Sequence, residues 1–120
     1  MTGLPTNVQI EVAHRNSATI AAIEGDIDLH ASSDVRERLL SLINESPVLV
    51  VDLSRVTGID SSGVASLLEA FQRASKRART VILAAAGDPV MRVLRMARLD
   101  TVFTLTASVE DALKKVAPKR

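Results

Sequence analysis

Two stretches constrain this chain more than anything else in it. Val48-Leu49-Val50-Val51-Asp52-Leu53 and the segment Thr80 to Ala86 are strand-length and apolar almost without a break. A strand with one wet face alternates apolar and polar residues. A strand without alternation is covered on both faces, as in the middle of a parallel sheet. Between the two, Val64, Leu67, Leu68, Phe71, Ala74 and Ala78 recur at helical spacing. Strand, helix and strand in that order predict a parallel crossover, which is right-handed in nearly every known case.

The rest of the chain extends this pattern. Met1 to Thr6 reads as a loose tail, and 118–120 as another. Val8, Ile10 and Val12 alternate with polar neighbours, Arg15-Asn16-Ser17 reads as a turn, and Ala18 to Glu24 as a second strand, so the first two strands form an antiparallel hairpin. Gly25-Asp26-Ile27-Asp28 ends that strand. Ser32 and Ser33 are candidate caps for a helix reaching about Asn44, with Val35, Leu39, Leu42 and Ile43 as its apolar stripe. The second helix is expected over Ser62 to Arg77, although Ser75-Lys76-Arg77-Ala78-Arg79 lacks the glycine that commonly stops a helix. Asp88-Pro89 starts a third helix with Val90, Val93, Leu94 and Ala97 facing inward. Thr101 to Leu105 is a last strand, and Ser108 caps a final helix through Val109, Ala112, Leu113 and Val116. The predicted fold is a single α/β domain over residues 1–120, in the order β-β-α-β-α-β-α-β-α.

Composition removes several function classes. The chain has no cysteine, so disulfides, thiolate chemistry and cysteine-based zinc sites are excluded. His14 and His30 are isolated and make no metal motif, and no cofactor-binding motif is present. Fifteen basic and fourteen acidic side chains leave a net charge of +1, with no concentrated basic face to hold nucleic acid. No apolar stretch approaches the roughly 20 residues that span a bilayer. No leader with a basic flank and apolar run is visible, so a cytoplasmic location without membrane attachment is expected.

The chemistry concentrates in Ile59-Asp60-Ser61-Ser62-Gly63-Val64, where a loop leaves a buried strand and enters a helix. A helix N-terminus has unpaired N–H groups and a partial positive charge. Asp60, Ser61 and Ser62 all suit a capping role. A serine hydroxyl there could also accept a phosphate, whose charge the helix end would stabilise. Gly58 and Gly63 are too far apart for the Gly-x-Ser-x-Gly elbow of a hydrolase, and neither histidine carries a signature of a base. No lysine follows the glycine, which excludes a phosphate-cradling loop. Asp26 and Asp28 are better explained by a strand-end turn and surface contact than by a catalytic pair. Arg92, Arg95 and Arg98 lie along one helix face and read as solvated.

In this setting the chain resembles the STAS family, specifically the bacterial anti-sigma-factor antagonists. The resemblance rests on Gly25-Asp26-Ile27-Asp28, on Val50-Val51-Asp52-Leu53 leading to Ile59-Asp60-Ser61-Ser62-Gly63, and on Val64-Ala65-Ser66-Leu67-Leu68. It continues through Val90-Met91-Arg92-Val93-Leu94 to Leu99-Asp100 and Phe103. It implies a mixed, mainly parallel sheet with helices wound on one side. It also implies that Ser61, directly after the aspartate, is the phosphoacceptor. The partners it implies are an anti-sigma factor that is also a serine kinase of the histidine-kinase-like ATPase fold, and a PP2C-type phosphatase. Binding would release a sigma factor for transcription, with no catalysis by the chain itself. Asp26, Asp28, Asp60, Ser62, Gly63 and Val64 would form the contact surface, with Ser62 also part of the helix cap. A non-switching STAS subunit of a transporter, or a stressosome-type scaffold, is the alternative within the same family.

Overall fold

The computed structural model describes residues 8–116. The expected tails at 1–6 and 118–120 lie outside them. Strands β1 (Gln9–Arg15) and β2 (Ala18–Ile27) form an antiparallel hairpin. Its two-residue turn is Asn16-Ser17, both with positive φ (53° and 69°), the backbone twist that tight hairpins favour. Helix α1 (Leu29–Leu42), β3 (Val48–Ile59), α2 (Ser61–Lys76), β4 (Thr80–Ala84), α3 (Asp88–Met96), β5 (Thr104–Thr106) and α4 (Val109–Lys115) follow. The sheet order is β1-β2-β3-β4-β5, with β2 through β5 mutually parallel. This is the mixed, mainly parallel α/β sheet expected.

Sheet order explains where the helices lie. Each crossover steps one strand in the same direction, so right-handedness places α1, α2 and α3 on the same face. Their buried side chains, among them Val35, Leu39, Leu67 and Leu94, pack with Ile23, Val51, Leu53 and Leu83 in the main core. Phe71 and Phe103 meet edge to face at 5.4 Å and 73°, closing the α2 side of that core. Helix α4 departs from the one-sided expectation. Ala112 and Leu113 pack on Ala18, Ile20, Val50, Ile82 and Ala84, which form the opposite face. No strand follows α4 among the described residues, so no crossover rule holds it to the first face. The apolar residues on the other face need a cover. Both faces of the central strands are therefore dry, as their unbroken apolar runs required.

Several boundaries differ from expectation for local reasons. Gly25 does not end β2. It takes φ 114° at a register shift, and the strand resumes so that Asp26 pairs with Gly58 and Ile27 with Ile59. Strand β3 accordingly runs on to Ile59. Strand β4 stops at Ala84, because Ala85 takes φ 60° and donates to the Thr106 carbonyl at 3.0 Å. Thr101–Phe103 is a turn, held by Val102 and Phe103 amides on the Leu99 carbonyl, which shortens β5 to Thr104–Thr106.

Caps also shift. Asp28, not Ser32 or Ser33, caps α1, and Ser32 is buried. Gly87 occupies the cap of α3, with Asp88 the first helical residue and Pro89 in the first turn. Ser108 caps α4 as expected, accepting from the Asp111 amide at 3.0 Å.

The helix-stop glycine missing after α2 is replaced by a strained residue, and α3 ends in the same way. After α2, Ala78 takes φ 56° while the Ala78 and Arg79 amides donate to the Ser75 and Ala74 carbonyls. After α3, Arg98 takes φ 59° with the same pair of bonds one helix on, from Arg98 to Arg95 and Leu99 to Leu94. Both are six-residue helix stops that normally use glycine. They end the helices early, so Ala78 and Ala97, expected on buried faces, are exposed.

Candidate functional site

Ile27 and Ile59 are neighbours at the ends of two parallel strands, and the Asp60 amide donates to the Ile27 carbonyl at 3.3 Å. Each strand is followed by one aspartate and then a helix. Two aspartate-capped helix starts thus sit side by side at one end of the sheet. Asp28 Oδ1 accepts from the His30 and Ala31 amides at 3.0 and 3.1 Å. Asp60 Oδ1 accepts from the Ser62 and Gly63 amides at 3.0 and 3.1 Å, and from the Ser62 hydroxyl at 2.6 Å. Carboxylates are suited to this position because the helix N-terminus offers both donors and positive potential.

These donors hold the Asp60 carboxyl below its ordinary pKa. The Ser62 hydroxyl contributes most and the Gly63 amide next, with smaller help from the Ser62 and Leu29 amides, and together they outweigh the effect of burial. Asp26 is exposed on β2, directly before Ile27 and paired with Gly58 of β3. Its carboxylate lies over the α-carbon of Gly58, in the space a side chain at 58 would need.

The motif residues fall into separate roles. Ser61 is the first residue of α2 and exposed. Its hydroxyl makes no hydrogen bond to any described residue, and neither histidine is bonded to it; His14 is bonded to Glu45 at 2.9 Å. Ser62 is half-buried, and its hydroxyl serves the Asp60 cap instead of acting as the cap. Gly63 and Val64 are buried. A β-carbon at Gly63 would run into the Ile27 carbonyl oxygen and lie 2.7 Å from Ile59 Cγ1 and 2.8 Å from Ile27 Cγ2. Gly63 therefore lets the first turn of α2 approach the strand ends. Gly63 and Val64, expected to be part of a contact surface, are buried, while Asp26, Asp60 and Ser61 are exposed and Asp28 and Ser62 are half-buried.

Two residues escaped sequence reasoning. Leu29 directly follows the Asp28 cap and is 71 % exposed, an apolar side chain at the edge of the acidic group. An apolar residue immediately after an acidic cap was its only signal. Ser66 is buried and its hydroxyl donates to the Ser32 carbonyl at 2.9 Å, joining α2 to α1 just behind the site. Its position one turn after Gly63, on the buried stripe with Leu67 and Ala70, was the available sign. Among the described residues no group of His, Cys, Asp or Glu is arranged to hold a metal ion, and no helix is long and apolar enough to cross a membrane.

Known proteins share this architecture. The chain is 27% identical over 113 residues to the anti-sigma-F factor antagonist RsfB of Mycobacterium tuberculosis, a match covering 93% of this chain and 92% of that protein. The crystal structure of an anti-sigma factor antagonist from Mycobacterium paratuberculosis matches with a TM-score of 0.84 at 23% identity, covering 96% of this chain and 98% of the other. The Bacillus cell fate determinant SpoIIAA, in its phosphorylated form, matches with a TM-score of 0.70 at 20% identity, covering 91% and 100%. A family model described as the STAS domain matches residues 9–112, from the first strand into the last helix, and the chain belongs to that family.

Proposed function

We propose that this chain is an anti-sigma-factor antagonist controlled by phosphorylation of Ser61. The observation that carries the reading is the difference between adjacent serines: Ser61 is exposed with its hydroxyl bonded to no described residue, and the Ser62 hydroxyl is bound to Asp60 at 2.6 Å. The names of the relatives supply the partner class. The unmodified chain binds an anti-sigma factor that is also a serine kinase of the histidine-kinase-like ATPase fold, so a sigma factor is released. Phosphorylation ends the interaction and a PP2C-type phosphatase restores it. In this reading the chain is a substrate of both enzymes, works in the cytoplasm and catalyses nothing itself.

The physical chemistry favours a switch that breaks a complex without refolding the protein. Phosphate adds about −1.5 to −2 charge. On Ser61 it stands beside the Asp60 carboxylate, with Asp28 on the neighbouring helix start. The partial positive charge at the start of α2 limits the repulsion inside the chain. A partner surface fitted to a neutral hydroxyl has no such relief, and burying an unmatched charge there costs several kcal/mol.

The test is to incubate the purified chain with the kinase and ATP, map the phosphate by mass spectrometry, and compare kinase binding by wild type and Ser61→Asp. Phosphate on Ser61 and at least roughly tenfold weaker binding by the variant are expected, equivalent to about 1.4 kcal/mol. Phosphate elsewhere or nowhere, or equal binding by Ser61→Asp, would overturn the proposal.

A further inference from the structure

Ser61 and Ser62 carry the same hydroxyl on consecutive residues of one helix turn, and Ser62, though half-buried, is not closed off from a kinase. We propose that Asp60 selects the acceptor: its carboxylate engages the Ser62 hydroxyl and keeps phosphate off it, leaving Ser61 as the member of the pair that is modified. The proposal rests on the reading of Ser61 as a phosphoacceptor, and adds what directs phosphate to it.

Phosphoryl transfer requires the serine oxygen to bond to the γ-phosphorus of the nucleoside triphosphate while the bond from that phosphorus to the bridging oxygen breaks. The diphosphate leaves, and the hydroxyl proton passes to a base of the kinase. Ser61 meets these requirements, since its hydroxyl is exposed and bonded to no described residue. Ser62 does not. Its hydroxyl points at Asp60 Oδ1, 2.6 Å away, the short separation of a charge-assisted bond. The same oxygen accepts two backbone amides, which lower its basicity and make it a poor substitute for the kinase's base. A phosphate built on Ser62 would also place its dianion within bonding distance of a carboxylate. That repulsion grows as the phosphoryl group arrives and opposes transfer at Ser62 throughout.

Asp60 is thus a positioning residue with two linked tasks. It caps α2 through the Ser62 and Gly63 amides, and through the Ser62 hydroxyl it removes the competing nucleophile. Asparagine separates the tasks, because its amide oxygen still caps a helix while the charge that holds and shields Ser62 is gone.

The test measures a ratio within one molecule. Wild type and Asp60→Asn are phosphorylated with the kinase and ATP, and the phosphate on Ser62 relative to Ser61 is quantified by mass spectrometry. The ratio should rise at least roughly tenfold in Asp60→Asn, the change produced by about 1.4 kcal/mol. An unchanged ratio would overturn the proposal. Loss of phosphate from both serines in the variant would make Asp60 a kinase-docking residue and also overturn it. Absence of phosphate from both serines in wild type would instead defeat the reading of Ser61 as the acceptor, a separate failure. A kinase-free measurement tests the bond itself. Titration of the Asp60 carboxyl by NMR should move upward in Ser62→Ala and hold in Ser61→Ala, and no movement in Ser62→Ala would sink the proposal.

Discussion

The Ser66 hydroxyl, inside α2, donates to the backbone carbonyl of Ser32 in α1 at 2.9 Å, and it also lies 3.1 Å from the Ser62 carbonyl of its own helix. This buried bond ties together the two helix starts that carry Asp28 and Asp60. The spacing of the acidic group is therefore set in part by a residue that a partner would never touch. Helices packed by apolar side chains alone can slide by small amounts, whereas a directional bond fixes one arrangement.

Ser66→Ala should lower stability by about 1 kcal/mol, the usual net worth of such a bond. Urea denaturation of variant and wild type measures the difference. A stability equal to wild type would mean that the interhelix bond contributes nothing in solution.

Gly63→Ala tests the close approach of α2 to the strand ends. Alanine is the better helix former, by nearly 1 kcal/mol at an open position. Here its β-carbon meets the Ile27 carbonyl and the side chains of Ile27 and Ile59. Overpacking of this kind costs about 1–3 kcal/mol, and backbone that must shift puts the result toward the upper end. A net loss is expected by chemical denaturation. A gain would show that the helix start moves outward freely.

Ala78→Gly and Arg98→Gly should each stabilise the chain. Both residues hold a left-handed conformation at a helix stop, which costs an L-residue roughly 1–2 kcal/mol. Glycine relieves that strain, and its greater freedom in the unfolded chain takes back part of the gain. A net increase of about 0.5–1 kcal/mol each is expected. The sites lie at the ends of different helices, so the double variant should show near-additive gains in thermal denaturation.

Stability should decline in acid partly through Asp60. Its folded-state pKa lies below the ordinary aspartate value, mainly because of the Ser62 hydroxyl and then the Gly63 amide. Those donors are lost on unfolding, so the unfolded chain takes up the proton first. The stabilisation is fully present above the unfolded pKa and is lost as pH falls through the lowered folded pKa. Asp60→Asn should be less stable than wild type at neutral pH, with a gap that narrows in acid. A gap that stayed constant through the acid range would separate Asp60 from the pH response.

Much of the fold was legible from periodicity. The nearly unbroken apolar runs at Val48–Leu53 and Thr80–Ala86 mark central parallel strands, the second of which ends at Ala84, and the stripe of Val35, Leu39, Leu42 and Ile43 is buried as its spacing required. The order of elements matched throughout. Ends were less legible because they depend on single bonds. Ser32 and Ser33 suited the cap of α1 by type, yet Asp28 four residues earlier holds it, since the β2 register shift at Gly25 carries the strand on to Ile27. The step from a buried strand into a helical stripe marked the loop of Asp60 to Gly63, and the family resemblance set Ser61 apart from Ser62, but residue type left Asp60, Ser61 and Ser62 equal as caps.

The sequence by itself determined the α/β class, the parallel sense of the central strands and the helix start at Asp60-Ser61-Ser62-Gly63. These follow from periodicity and from residue types at a helix start, which are local properties. Only the tertiary structure decided that α4 covers the opposite face, that Gly63 is a steric necessity, and that the Ser62 hydroxyl serves Asp60 while that of Ser61 is bonded to no described residue. Each depends on atoms far apart in sequence or on the direction of one hydrogen bond, and residue spacing carries neither kind of information.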